Sequence, residues 1–459
     1  MKLTLVAYGT LGDVYPFLAV GQELKHRGYD VAVATLPQYQ ETAASLGLDF
    51  APLCDGRLLD DFTRNRFSWD IAKGSNSFFS DLIIPFVDPV FRFVTSLDLE
   101  NTCVLASVLA MGARIARETT PFRLATLCPY PVFFPSRVRP PALPRIDFTG
   151  LGQSWRSRLF FRMLGGLDWL LMGPPRENPR SYVGINRSAF RKRLFSEAYI
   201  RTSDFQCAAF LNRYRRGLGL PERTRYFEDY LFSPDLAVGL FPEWFAPVQP
   251  DWPPNVALSS FPRLMRPNAA TSETFQRFMA TTPDAPILFT FGSQKSHNHD
   301  LFRLAARACL DLNQPAVFLS GTRADIPAGL PDSIIHLEFE PLPELLRHMR
   351  LIVHHAGIGT SADALRAGVP QILLPFCYDQ PDNATRLQRI GVGKMLSAGN
   401  LTVDGLKETI RLVLETPRYT ERTRHYAQAM ADTERAFPTS QAVLDWIGVS
   451  TRTEKGAGG

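Results

Sequence analysis

Short apolar runs alternate with helix-like stretches twice along this chain, and that alternation restricts the fold more than any other feature. LTLVAY (3–8) reads as a buried strand, and VAVAT (31–35) and LDFAPL (48–53) read as the next two, because runs with little polar alternation suit a sheet covered on both faces. Between the first two strands, VYPFLAVGQELKHRG (14–28) has helical periodicity and stops at Gly28 behind the basic residues Lys25 and Arg27,. QYQETAASLG (38–47) is the helix between the second and third. This order predicts a parallel, doubly wound sheet. A second series opens near Pro286, with strands ILFTF, AVFLS, IIHLEF, RLIVHH and QILLPF and helices DLFRLAARACLDL, TSADALRAG and NATRLQRIG. It predicts a second α/β domain.

A length of 459 residues is also more than one hydrophobic core usually supports,. The expected division is a first domain over 1–240, an interdomain linker over 241–262, a second domain over 263–430, and a C-terminal helix and tail over 431–459. The linker, FPEWFAPVQPDWPPNVALSSFP, is rich in Pro and Trp and suits a semi-rigid connection,. Two doubly wound domains facing each other leave a cleft, and ligands in such folds sit outside the carboxyl ends of the strands. A net charge of +5 is too small for this length to argue for a nucleic-acid partner,. Six widely spaced cysteines without a CxxC pair point to neither a zinc site nor a disulfide framework,. No apolar stretch reaches the roughly 18 residues that span a bilayer, so a cytoplasmic protein is expected. From Arg156 to Arg193 there are nine Lys or Arg and two acids, interleaved with large apolar residues. Two readings stay open for that stretch: a helix pair packed on the sheet with a solvated Arg face, or a basic, apolar element that rests on the inner face of a membrane or grips a lipid-like ligand.

Chemistry concentrates in LIVHHAGIGTSADALRAGVPQILLPFCYDQPDNATRL (351–387). A strand runs into two histidines, a Gly-rich turn and a helix starting near Thr360, so backbone N–H groups and the positive helix end face any ligand there. That is an anion site, in which Gly357 and Gly359 admit a phosphate, Thr360 offers a hydroxyl and His355 donates to a diphosphate oxygen. His354 is expected to pack at the strand end. The following strand delivers Asp379 and Gln380 to the same edge, a carboxylate and an amide suited to sugar hydroxyls. ILFTF ends there too, in Gly292-Ser293. Near the N-terminus, Asp13 in GTLGDVYP has two competing readings. It can cap the following helix, with Pro16 early in it, or it can do chemistry.

The segments His355-Ala356-Gly357-Ile358-Gly359-Thr360, Gly368-Val369-Pro370 and Asp379-Gln380-Pro381-Asp382-Asn383-Ala384 resemble the donor signature HxGxGT, GVP, DQxxNA of the metal-independent nucleotide-sugar glycosyltransferases of the GT-B fold. GTLGDVYP is similar to the GTxGDVxP segment of bacterial and sterol-type members. FPEWFAPVQPDWP and AMGARIARE (110–118) look like the rhamnolipid-type rhamnosyltransferases. The resemblance implies two Rossmann-like domains facing across a cleft. It also implies a donor set of Gly12, Gly292, Ser293, Phe339, Pro341, His355, Gly357, Gly359, Thr360, Asp379 and Gln380, with Phe339 to Leu342 along a pyrimidine base. No metal and no other cofactor is implied. The chain lacks the Trp and the extended signature of plant members, so dTDP-rhamnose competes with UDP-glucose as the donor. By its match to the segment, Asp13 becomes the expected general base.

FFSDLIIPFVDPVFRFV (78–94) and YPVFFPS (130–136) supply apolar side chains where this fold receives its acceptor. An apolar acceptor bearing a hydroxyl is therefore expected: a hydroxy fatty acid lipid, or a polyketide, sterol or aromatic alcohol. The alternative is that these side chains fill a core. A nucleotide-sugar 2-epimerase and a non-catalytic nucleotide-sugar-binding protein share the architecture and stay open. A dinucleotide oxidoreductase would need GxGxxG and an acid after the second strand, and GTLGDV and Thr35 provide neither,.

Overall fold

The first apolar run becomes β1 (Lys2–Val6), flanked by β2 (Asp30–Thr35) and β4 (Thr102–Ser107). In this computed structural model, which describes residues 1–65, 78–142, 189–266, 270–292 and 298–456, β3 (Asp49–Pro52), β5 (Arg123–Cys128), β6 (Leu236–Gly239) and β7 (Val256–Leu258) complete the sheet. Its order is β3-β2-β1-β4-β5-β6-β7, parallel throughout. The second sheet contains β8 (Ile287–Thr290), β9 (Ala316–Leu319), β10 (Ile334–Leu337), β11 (Leu351–His354), β12 (Gln371–Leu373) and β13 (Gly393–Met395). Its order is β10-β9-β8-β11-β12-β13, also parallel. The doubly wound architecture predicted from the alternation is the one observed.

In each sheet the strand order reverses once, between β1 and β4 and between β8 and β11. Loops leave a doubly wound sheet in opposite directions at such a point and open a crevice there. GTLGDVYP leaves β1 at the first crevice, and the two histidines leave β11 at the second.

The first helix differs from its sequence reading. It runs from Leu11 to His26, not from Val14. Thr10 is the N-cap and Asp13 lies at the third helical position, closing a capping box,. Asp13 is therefore not the N-cap. Pro16 is consequently inside the helix, where its missing N–H leaves the carbonyl of Gly12 without an intrahelical partner,. The Tyr130 hydroxyl lies 3.1 Å from that carbonyl oxygen.

The stretch expected to be wholly linker also differs, because Val256–Leu258 is paired to β6 as the last strand of the first sheet. Beyond Pro253 and Pro254 the chain has N–H groups for a ladder again,. The crossing follows that strand and is tied down on both sides. Arg366 donates to the carbonyls of Phe261 (2.7 Å) and Pro262 (3.3 Å), while Gln22 exchanges two hydrogen bonds with the backbone of Met265.

One apolar cluster runs from the first sheet into Ile358, Leu365 and Leu387 of the second domain and on to Val443 and Ile447 of the last helix, Gln441–Gly456. Each large side chain buried this way contributes about 1.5–3 kcal/mol, so the domains share a core. Two further clusters cover the faces of the second sheet. All six cysteines are free thiols, and five are buried. Among the described residues no helix is long and apolar enough to cross a membrane. Most of the Arg156–Arg193 stretch, and Ser293, lie outside the described residues.

Candidate active site

At the end of β11, His354 is fully buried, its Nε2 2.9 Å from Gln371 Oε1 and its Nδ1 accepting from Ala356 N at 3.2 Å. It holds the strand end. His355 turns the other way, into a slot between two glycines. A Cβ on Gly357 would stand 2.4 Å from His355 Nε2, and one on Gly292 (φ +75°) 3.0 Å from His355 Cε1. Only residues without a side chain leave room for that ring. Burial pushes the His355 pKa down to about 4, with the backbone at Thr290 opposing it, so the imidazole is neutral at pH 7, and its Nδ1 is buried with no partner among the described residues.

Gly357 caps helix Ile358–Ala367, whose first N–H groups have no partner inside the helix,. Among the described residues, nothing outside its own turn of helix lies within 4 Å of where a side chain on Gly359 would begin. Gly359 is exposed. Thr360 is half-buried in the same turn.

The neighbouring turn is held by the chain itself. Gln380 Oε1 accepts from the backbone N–H of Phe376 (2.8 Å) and Cys377 (3.2 Å), which uses the accepting half of an amide expected to read sugar hydroxyls. Asp379 occupies the N-cap position of helix Gln380–Ile390 yet makes no capping bond. Its Oδ2 accepts from Asn383 Nδ2 at 2.6 Å, and the same Asn383 amide donates to the Ala356 carbonyl at 3.1 Å. One buried amide thus couples the phosphate-type turn to the carboxylate turn. Burial pushes the Asp379 pKa up to about 7, the Asn383 bond opposing and the charge of Asp13 adding to it. Ala356 (φ 63°) and Tyr378 (φ 55°), one in each turn, hold left-handed backbone at a cost of about 1–3 kcal/mol each,.

Asp13 reaches this region from the first domain with its carboxylate divided between two tasks. Oδ2 accepts from Thr10 N (2.7 Å) and Thr10 Oγ1 (2.8 Å), completing the capping box. Oδ1 accepts from the Tyr130 hydroxyl at 2.5 Å. Close packing sets this arrangement, because a Cβ on Gly9 (φ +124°) would stand 2.5 Å from Asp13 Oδ2. Burial raises the Asp13 pKa above the usual carboxylate range, and the bonds from Tyr130 and Thr10 counter it. Gly12 lies open beside it, its carbonyl under the Tyr130 hydroxyl.

Phe339 is 69% exposed, an aromatic surface of the kind a nucleobase stacks on,. Its neighbour Glu340 turns inward to accept from Ser272 N, and Pro341 caps the short helix Leu342–Leu346. Over Phe339, at 5.9 Å from the ring centre, stands the Arg266 guanidinium, whose Nη2 donates to the Tyr15 hydroxyl at 2.9 Å. The structure therefore brings Asp13, Asp379 and the His355 turn to one place and sets Phe339 under Arg266, just past the linker. Tyr130 and Arg266 were not singled out from the sequence, and Asn383 entered only as a member of the DQxxNA signature, without a role. Pro16 in the first helix is a sequence signal that the Gly12 carbonyl takes a partner from outside the helix,. Among the described residues, no group of three His, Cys, Asp or Glu side chains is placed to hold a metal ion.

Residues 3–120 match the glycosyltransferase family 28 N-terminal domain, and residues 308–447 match the erythromycin biosynthesis protein CIII-like C-terminal domain. An uncharacterized glycosyltransferase of Mycobacterium leprae is 26% identical over 97% of this chain and 96% of its own. The O-mycaminosyltylonolide 6-deoxyallosyltransferase of Streptomyces fradiae is 22% identical, covering 99% of each chain. Among solved structures, a spinosyn rhamnosyltransferase complexed with thymidine diphosphate has a TM-score of 0.62 at 17% identity, covering 97% of this chain and 99% of that one.

Proposed function

The chain is a nucleotide-sugar glycosyltransferase of the GT-B type, and from that premise we propose that it moves a deoxyhexose from a dTDP-activated donor to a hydroxyl of an apolar, ring-bearing acceptor, inverting the anomeric carbon without a metal. The observation that carries this reading is the opposition of Asp13 at the β1/β4 crevice to Asp379 and the His355 turn at the β8/β11 crevice. In one displacement, Asp13 takes the acceptor proton, the acceptor oxygen bonds to the anomeric carbon, and the bond to the phosphate oxygen breaks with its electron pair. The N–H groups of helix Ile358–Ala367 and the imidazole of His355 then hold the departing diphosphate; one well-aimed donor of this kind is worth about 3 kcal/mol. A base as weak as a carboxylate removes the proton late, as the new C–O bond forms, and typically contributes about 10²- to 10⁴-fold.

The choice of dTDP over UDP-glucose draws on relatives and neighbours named for deoxysugar transfer and thymidine diphosphate, and dTDP-rhamnose is the first donor to try. For the acceptor, the rhamnolipid-type resemblance favours a hydroxyacyl chain. The row of aromatic rings beside Asp13 favours a ring system, and we adopt the latter. The test is Asp13→Asn. Transfer should fall at least 10²-fold while dTDP still binds with wild-type affinity. Unchanged turnover would remove Asp13 from the mechanism, and free nucleoside diphosphate released without any acceptor would favour an epimerase.

A further inference from the structure

Three non-glycine residues among those described hold left-handed backbone. Asn313 sits in a turn, where its side-chain type is tolerated, and Ala356 belongs to the phosphate-type turn. Tyr378 has neither excuse. It is large, immediately precedes Asp379, and is held by the Gln380 clasp on the backbone of Phe376 and Cys377. Its ring reaches across to the first domain. The centroid lies 5.5 Å from Phe78 and 6.5 Å from Phe62, both of the first domain. From Phe78 the row continues to Phe133 (6.0 Å), then to Tyr130 (5.8 Å), whose hydroxyl binds Asp13. Phe62 is buried, whereas Phe78, Phe133 and Tyr378 keep part of their surface open.

We infer that Tyr378 is a specificity-determining and positioning residue: its ring is the second domain's wall of the acceptor site, and its left-handed backbone turns Asp379 toward the donor sugar. This rests on the apolar-acceptor reading above and goes further, since it makes the acceptor site a joint product of both domains and names a flat ring as what it grips. Offset or edge-on ring contacts reward a flat aromatic guest beyond its buried area, by roughly 2- to 10-fold per contact. A flexible alkyl chain gains no such term and loses less when the ring is removed.

The experiment is a fluorescence titration of the full chain with 2-naphthol in the presence of dTDP, with 1-decanol as competitor. Tyr378→Gly keeps the backbone conformation within reach and deletes the ring; Tyr378→Phe keeps the ring. Tyr378→Gly should raise the Kd for 2-naphthol about tenfold, raise that for 1-decanol by less than threefold, and move dTDP affinity by less than threefold, while Tyr378→Phe restores 2-naphthol binding. Equal weakening of both alcohols, or no weakening of either, overturns the proposal. A Tyr378→Gly protein that also loses dTDP overturns a selective role. Wild-type protein that binds dTDP and neither alcohol sinks the acceptor reading itself, a different failure from the other two.

Discussion

Asp13 shows how one carboxylate serves two ends at once. Oδ2 is committed to the capping box with Thr10, and Oδ1 accepts from the Tyr130 hydroxyl. Read from the sequence, cap and base are rivals; in three dimensions the capping box occupies one oxygen and leaves the other to the Tyr130 hydroxyl. Asp379 carries a pH prediction of its own. Its pKa, pushed up to about 7 chiefly by burial, exceeds the roughly 3.9 of an unfolded Asp. The folded state therefore binds the extra proton between these values, so the stability it contributes is full below about pH 4 and is lost as pH rises toward 7. Asp379→Asn removes that loss. Its Tm at pH 8 should exceed that of wild type, its Tm should vary less between pH 5 and pH 8, and its donor KM should rise. An unaltered pH dependence of Tm would show that Asp379 does not titrate in this range. His355 and Asp379 were legible as site residues because both lie in turns with a distinctive spacing. Their couplings were not, since Asn383 joins the two turns only once both strands end at the same edge.

Among the elements, the helices that open on the two crevices are built around close contacts to glycine. The His355 ring fits only because position 357 has no Cβ, which would approach Nε2 to 2.4 Å. Gly357→Ala must therefore expel the imidazole or shift the turn. Because φ there is −61°, the backbone itself tolerates alanine, and the fold should survive. We expect dTDP affinity to fall about 10- to 100-fold, the scale of a lost charge-assisted hydrogen bond of about 1.5–3 kcal/mol, with Tm changed by only a few degrees. Calorimetric titration checks this, and dTDP affinity within twofold of wild type would show that the His355 ring does not contribute. The first helix began earlier than its periodicity indicated because its first turn holds Gly12 and Asp13, which carry no apolar signal, and capping rather than burial set its start.

For the whole molecule, the crossing between the domains is the mechanical question. Arg366, nearly buried, ties the linker carbonyls of Phe261 and Pro262 to Asp363 of its own helix and Glu434 of helix Pro417–Ala436. The last helix then returns to the first domain, where Ser440 donates to Glu23 at 2.7 Å. Removing one member of this partly buried ionic network leaves the others unpaired, at about 1–3 kcal/mol,. Arg366→Ala should lower stability to urea by that amount in a single transition, since both domains share an apolar cluster. Two separated transitions would mean that the network, rather than the shared core, makes unfolding cooperative.

The sequence by itself determined the local units: apolar runs that must be covered on both faces, helices between them, and Gly-rich turns with a histidine and a carboxylate at recognisable spacing. These follow from periodicity and backbone sterics, which act over a few residues. Only the tertiary structure decided the rest. It set the strand order that opens the two crevices, the Tyr130 hydroxyl that meets both the carbonyl bared by Pro16 and Asp13, 117 residues earlier, and the Tyr378 ring that crosses into the other domain. Such contacts join groups far apart in the chain, and no local pattern encodes them; they arise where close packing and the pairing of buried polar groups are satisfied together.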